Sequence, residues 1–205
     1  MPVFIDQMGR KVELSSNPQC IVSIVPSQTE LLYDLGLEER VIGITKFCIH
    51  PEQWYRTKTR VGGTKMLNIE RIKSLNPDLI IGNKEENEQS QVEELAKFCP
   101  VWMSDIKSLD DALEMITEMG KIGGRSEQAI KIRNEILNGF GKSKFDIQQS
   151  SIKTVAYCIW KEPIIVVGGD TFIGDMLKRC GLVNVFEHLT RYPEIDPDQL
   201  RNVKP

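Results

Sequence analysis

Short apolar runs, each closed by Pro or Gly, alternate with helical patterns through the first hundred residues, and this constrains the fold most. Cys20-Ile21-Val22-Ser23-Ile24-Val25 lies between Pro18 and Pro26. A continuous run of that kind is the profile of a parallel strand buried on both faces. Val41-Ile42-Gly43-Ile44, Asp78-Leu79-Ile80-Ile81-Gly82 and Val101-Trp102-Met103 repeat it. Ser27-Gln28-Thr29-Glu30 reads as a capping box with Ser27 as N-cap. Leu31, Leu32 and Leu35 share a face of the helix it opens, and Gly36 closes that helix. Asn68 caps a helix carrying Ile69, Ile72 and Leu75, which stops before Pro77. Residues 89–98 read as a further helix, and residues 45–64, with Pro51 and Gly62-Gly63, as irregular chain. The order β-α-β-α-β-α-β predicts a parallel sheet with right-handed crossovers. Ahead of it, residues 3–5 and 11–14 flank Met8-Gly9-Arg10 as a small hairpin.

The middle of the chain loses the strand signal. Leu109, Leu113, Ile116 and Met119 recur at helical spacing after Ser108, and Gly123-Gly124 breaks the pattern. Ser126-Glu127 starts a second helical segment that runs to about residue 144, with polar residues following to Lys153. Without Gly/Ser or Pro richness, this stretch suits a rigid connector, not a floppy linker. The α/β pattern then resumes. Residues 154–160 and 164–167 read as strands, and Asp170-Thr171 caps a helix through Phe172, Ile173, Met176 and Leu177 that closes near Gly181. Val183-Asn184-Val185-Phe186 follows, then a loop entering a helix at Asp196-Pro197-Asp198. In the first half the helix after Asn68 leads straight into a strand; in the second half, Val203-Lys204-Pro205 leads into none. The pattern therefore predicts an N-terminal α/β lobe over 1–107, a helical connector over 108–150 and an incomplete C-terminal α/β lobe over 151–205.

Charge and motifs exclude several functions. Among 205 residues, 26 Lys+Arg against 29 Asp+Glu leave a net charge of −3. That is unsuited to nucleic-acid binding, which needs clustered cations. No apolar run is long enough to span a membrane. Five scattered Cys make no C-x-x-C pair, and lone Cys residues in apolar runs act as small core residues. The N-terminus lacks a basic segment, and Asp6 interrupts its apolar stretch, so it does not read as a signal peptide. A P-loop, a dinucleotide fingerprint and a nucleophile elbow are all missing. With only His50 and His188, a dedicated metal site is not expected. No nucleophile–base set is visible, which argues against an enzyme.

Ligands of open α/β sheets bind at the C-terminal ends of the strands. The loops there hold Ser27-Gln28, Lys46 to His50, Thr64-Lys65-Met66, residues 83–87, Trp160-Lys161-Glu162 and Asp170-Thr171-Phe172. Phe47, Trp160 and Phe172, mixed with amides and hydroxyls, suit a large, flat, partly apolar ligand. His50 reads as an exposed polar residue, an axial or hydrogen-bonding ligand to a bound metal complex, or a buried structural residue.

Asp6-x-x-Gly9-Arg10, then Ile21-Val22-Ser23-Ile24-Val25-Pro26-Ser27-x-Thr29-Glu30 and Leu35-Gly36, resembles the opening of cobalamin- and iron-siderophore-type substrate-binding proteins of ABC importers. Val61-Gly62-Gly63-Thr64, Asn68-Ile69-Glu70-Arg71-Ile72 and Leu75-x-Pro77-Asp78-Leu79-Ile80 extend the resemblance, which covers essentially the whole chain and is closest to the cobalamin-binding branch. It implies two Rossmann-like lobes with parallel sheets joined by a long backbone helix, with ligand held between them. It also implies a non-enzymatic carrier that captures a corrinoid and delivers it to an ABC permease, without membrane insertion. Phe47, His50, Thr64, Lys65, Trp160 and Phe172 fall in segments that line the family's ligand site. Glu70 matches the acidic residue with which the family's first lobe docks on the permease, and Asp198 falls where the second lobe usually has Glu. Alternatives within the class are haem, with His50 as axial ligand, or a ferric siderophore; a cytosolic corrinoid-handling module is a further one. The family is periplasmic, whereas a chain without an export signal would be cytoplasmic.

Overall fold

The computed structural model describes residues 2–147 and 153–203. The chain divides into two compact units, Met1–Asp105 with Met115–Lys131 and Ile106–Glu114 with Ile132–Pro205.

In the first unit the apolar runs form the expected strands. β1 (Val3–Ile5) and β2 (Lys11–Glu13) make an antiparallel hairpin. Asp6, buried at its start, accepts hydrogen bonds from the N–H groups of Met8, Arg10 and Met103 and pairs with the Arg10 guanidinium at 2.7 Å. The Asp6-x-x-Gly9-Arg10 motif thus ties the hairpin to the sheet. β3 (Ile21–Ser23), β4 (Val41–Ile44), β5 (Thr59–Arg60), β6 (Leu79–Asn83) and β7 (Val101–Ser104) form one parallel sheet in the order β5-β4-β3-β6-β7. Val22, Ile24, Ile80, Val101 and Met103 pack in one buried cluster. Ile21, Leu79, Ile81 and Trp102, also buried, alternate with them along the strands and so fill the other face. β3, β4, β6 and β7 are apolar along most of their length because both faces are covered, whereas β5, Thr59-Arg60 at the sheet edge, is polar.

The helices are α1 (Pro26–Asp34), α2 (Glu52–Thr57), α3 (Ile69–Ser74) and α4 (Gln89–Leu95). Three local expectations need correction. The capping box at Ser27 is not formed: Pro26 takes the first helical position, where its fixed φ is pre-organised and its missing N–H is no loss. Val25 is the N-cap, and the Thr29 hydroxyl donates back to the Val25 carbonyl at 2.9 Å. The stretch 45–64 is not wholly irregular, since α2 and β5 lie inside it, anchored by the fully buried Trp54. The helix at 89–98 ends sooner, at Leu95. Asn68 does cap α3, its side chain accepting from the Arg71 N–H at 2.9 Å.

α5 (Leu109–Ile122) and α6 (Ser126–Ile147) follow, broken at Gly123-Gly124 as the spacing predicts, with α6 passing residue 144. The part of the polar stretch at 148–152 lies outside the described residues. In the second unit the apolar run 154–160 is two strands, not one. β8 (Lys153–Val155) pairs in parallel with β11 (Leu182–Asn184), while β9 (Cys158–Trp160) pairs antiparallel with β10 (Ile165–Val166). The break falls at Ala156-Tyr157, where the Tyr157 carbonyl accepts from the Val167 N–H at 3.0 Å. α7 (Phe172–Arg179) starts at Thr171, whose hydroxyl accepts from Gly174, and α8 (Pro197–Val203) ends the described chain. Val166, Phe186 and Ile195 form this unit's buried centre.

All five cysteines are free thiols. Burial, with the negative charge of Asp78 adding to it, pushes the Cys99 thiol up to about 12. At about pH 8 it carries almost no thiolate, the reactive form. A thiol-labelling time course should therefore modify the exposed Cys158 and Cys180 first, and the buried Cys48 and Cys99 only on unfolding.

Candidate ligand-binding rim

The C-terminal ends of β4, β5, β6 and β7 in the first unit rest on a buried polar layer. The Gln28 amide donates to the Gly82 carbonyl at 3.0 Å and to the Ser104 hydroxyl at 2.5 Å. Asn87 donates to the carbonyls of Ile24 and Thr64 at 3.3 and 3.0 Å. Cys48, fully buried, sits 3.1 Å from the hydroxyls of both Thr29 and Thr45. Buried groups paired in this way fix the loops above them.

Two of those loops are joined directly. The Lys46 N–H donates to the Gly62 carbonyl at 2.8 Å, and Gly63 N–H to the Met66 carbonyl at 2.8 Å. Gly62 has φ of +107°, and a Cβ there would lie 2.5 Å from the Met66 carbonyl oxygen, so only glycine fits the turn. A Cβ on Gly63 would lie 3.1 Å from the Phe47 ring, which shows how closely that ring covers the second loop. The outcome is a rim of exposed apolar side chains: Phe47 at 52%, Ile49 at 53% and Met66 at 81% exposure. Lys46 lies over the Phe47 ring, 5.1 Å from its centroid.

Of the residues singled out by sequence, Phe47, His50, Thr64 and Lys65 share these two loops. Phe47 and His50 are exposed, and Thr64 is buried with its carbonyl taken by Asn87. The Lys65 ammonium donates to the Glu85 carbonyl at 2.7 Å and lies 3.6 Å from Glu88. Trp160 and Phe172 belong to the second unit. Trp160 ends β9 at 63% exposure, its indole N–H donating to the Glu162 carbonyl at 2.9 Å, and half-buried Phe172 opens α7. Trp160 borders a cavity of about 360 Å³ with Ile159, Ile164 and Leu200, and Phe172 is not among its walls. Glu70 and Asp198 are exposed second residues of α3 and α8, and Asp198 pairs with Arg201 at 2.6 Å. Ile49 and Met66 lie in loops that the sequence places on the ligand side, but neither is singled out there, because an isolated apolar residue in a loop carries no period; only the Gly62-Gly63 turn hints at a tip.

The second unit also holds a cavity of about 710 Å³, walled by Lys107, Asp170, Asp175, Lys178, Glu187 and His188 among others. Asp175 is committed elsewhere. It accepts from the Leu109 N–H at 2.8 Å, capping α5, and from Arg179 at 2.7 Å. That hydrogen bond pushes the Arg179 guanidinium above its ordinary value. Replacing Asp175 by Ala removes a helix cap and an ion-pair partner and should lower stability by about 1–2 kcal/mol, read as a lower urea midpoint.

Among the described residues, no group of three or more His, Cys, Asp or Glu is placed to hold a metal ion. No helix among them is long and apolar enough to cross a membrane.

The chain is 26% identical over 192 residues to the vitamin B12-binding protein of Pectobacterium carotovorum subsp. carotovorum (strain PC1), covering 92% of this chain and 69% of that protein. It is 26% identical over 213 residues to an uncharacterized ABC transporter substrate-binding lipoprotein of Bacillus subtilis (strain 168), covering 100% of this chain and 67% of the lipoprotein. Its fold superposes on a periplasmic heme binding protein from Pseudomonas aeruginosa with a TM-score of 0.79 at 22% identity, over 92% of this chain and 70% of that one. Residues 21–205 match the periplasmic binding protein family. With that match over most of its length, the chain belongs to the periplasmic binding protein family, whose members carry ligands and do not transform them.

Proposed function

We infer that this protein is the substrate-binding component of an ABC importer and that its ligand is a corrinoid of the cobalamin type. The exposed apolar rim carries the reading. Phe47, Ile49 and Met66 stand together in water on loops fixed by buried hydrogen bonds. Such exposure is costly unless a ligand covers it. A corrin offers a broad apolar ring face for these side chains and a rim of amides for the polar groups around them, Lys46 and the loop carbonyls. His50, Thr64 and Lys65 act from the same two loops, and the second unit presents Trp160 and Phe172 in the same capacity. The similarity to a vitamin B12-binding protein supports the choice of ligand. The similarity to a substrate-binding lipoprotein supports an extracytoplasmic setting and a permease partner. Glu70 and Asp198, exposed at equivalent helix positions, are suited to meet permease cations. Contacts of that sort set encounter rate and register more than affinity.

Haem is the second reading, favoured by the exposed His50 imidazole and by a heme binding protein of the same fold. Equilibrium dialysis against cyanocobalamin and, separately, hemin distinguishes them. Cyanocobalamin absorbance retained on the protein side is the expected result. A shifted Soret band with hemin, and no retained corrinoid, would transfer the assignment to haem.

A further inference from the structure

The rim of the first unit carries a positive charge that no protein carboxylate meets. Its loops hold Lys46, Lys65 and Lys84. The Lys65 ammonium lies 3.6 Å from the Glu88 carboxylate and donates to the Glu85 carbonyl at 2.7 Å. The Lys84 ammonium donates to the Asp105 carboxylate at 2.8 Å. Lys46 pairs with no carboxylate among the described residues. Its ammonium lies instead over the Phe47 ring, 5.1 Å from the centroid.

The turn below holds this lysine in place. Its N–H donates to the Gly62 carbonyl at 2.8 Å. A Cβ on Gly63 would lie 3.3 Å from Lys46 Cε and 3.1 Å from the Phe47 ring, so the lysine stem and the ring lie side by side on that glycine. The stem is packed while the charge stays in water. A ligand laid on Phe47 takes water from this ammonium as well. Removing water from an unpaired cation is costly. A neutral amide replaces only part of what is lost. A charged oxygen replaces it with a hydrogen bond about twice as strong as a neutral one.

Resting on the corrinoid reading above, we propose that Lys46 is a specificity-determining residue of the rim and takes the phosphodiester in the nucleotide loop of a complete corrinoid. Cobinamide is the same ring without that loop. It keeps the apolar face and the ring amides and has no phosphate. Phe47, Ile49 and Met66 grip the ring that both corrinoids share, and Lys46 tells the two apart. Dicyanocobinamide and cyanocobalamin are both neutral overall, so their comparison isolates the local charge.

The test titrates the unaltered chain, Lys46→Met and Lys46→Arg by calorimetry with cyanocobalamin, dicyanocobinamide and hemin. Met keeps the stem over Gly63 and removes the ammonium. It should weaken cyanocobalamin binding about tenfold and change dicyanocobinamide binding by less than about twofold. The melting temperature should stay the same, because Lys46 is exposed. Arg keeps the charge and should retain most of the affinity for cyanocobalamin. Raising NaCl from about 0.02 to about 0.5 M should weaken cyanocobalamin binding to the unaltered chain and leave Lys46→Met unaffected. Equal losses for the two corrinoids, or no loss for either, would overturn the proposal and leave the corrinoid reading standing. A loss confined to hemin would give Lys46 to a propionate and would also overturn it. Binding of neither corrinoid to the unaltered chain would overturn the corrinoid reading, and this proposal with it.

Discussion

A chain carrying both Phe47→Ala and Met66→Ala should bind cyanocobalamin about 100-fold more weakly than the unaltered protein while melting at the same temperature. Both side chains are exposed, so removing them takes little from the core. In the complex each would cover part of the ring face, and burying a large apolar side chain contributes about 1.5–3 kcal/mol when complete. Partial burial of two such groups gives about 2.7 kcal/mol, a factor of about 100 in affinity. Calorimetric titration of the double variant, with its melting curve beside it, checks both halves. Undiminished affinity would place the ligand elsewhere on the molecule.

Trp102→Ala should cost about 3–5 kcal/mol, the largest stability loss of any change considered, because the indole is fully buried although its strand, β7, is the last of the sheet. Trp102 lies in β7 opposite Ile81, which is also fully buried. Ile81 cannot fill the space of an indole without moving a strand, and a cavity adds to the lost transfer free energy. The indole N–H has no hydrogen-bond partner, which trims the loss without reversing it. For a chain of this size the expected fall in melting temperature is about 10 °C. A fall of only one or two degrees would mean that the sheet face is loosely packed there.

How much of this was legible in the sequence varies with the physics of each element. β3, β4, β6 and β7 were legible because burial on both faces leaves an unbroken apolar run with Pro or Gly at its ends. α2 was not: six residues with a single buried anchor, Trp54, make no period. Ser27 and Glu30 have the spacing of a capping box, but Pro26 claims the first helical turn before Ser27 can act. The run 154–160 hides a change of partner, since apolar character says nothing about whether the neighbouring strand is parallel or antiparallel. At the rim, Phe47 was legible as an aromatic among loop residues. Met66 was legible only as a member of its loop, because its exposure depends on the positive φ of Gly62 and the close seat of Phe47 on Gly63. Trp160 and Phe172 were equally visible as loop aromatics, yet one is mostly exposed and the other half-buried, a difference set by packing.

Calorimetric titration of the unaltered chain with cyanocobalamin tests the ligand assignment most directly. A saturable isotherm with about one corrinoid per chain and a Kd of about 1 μM or tighter is the predicted result. A flat isotherm at that protein concentration would contradict it.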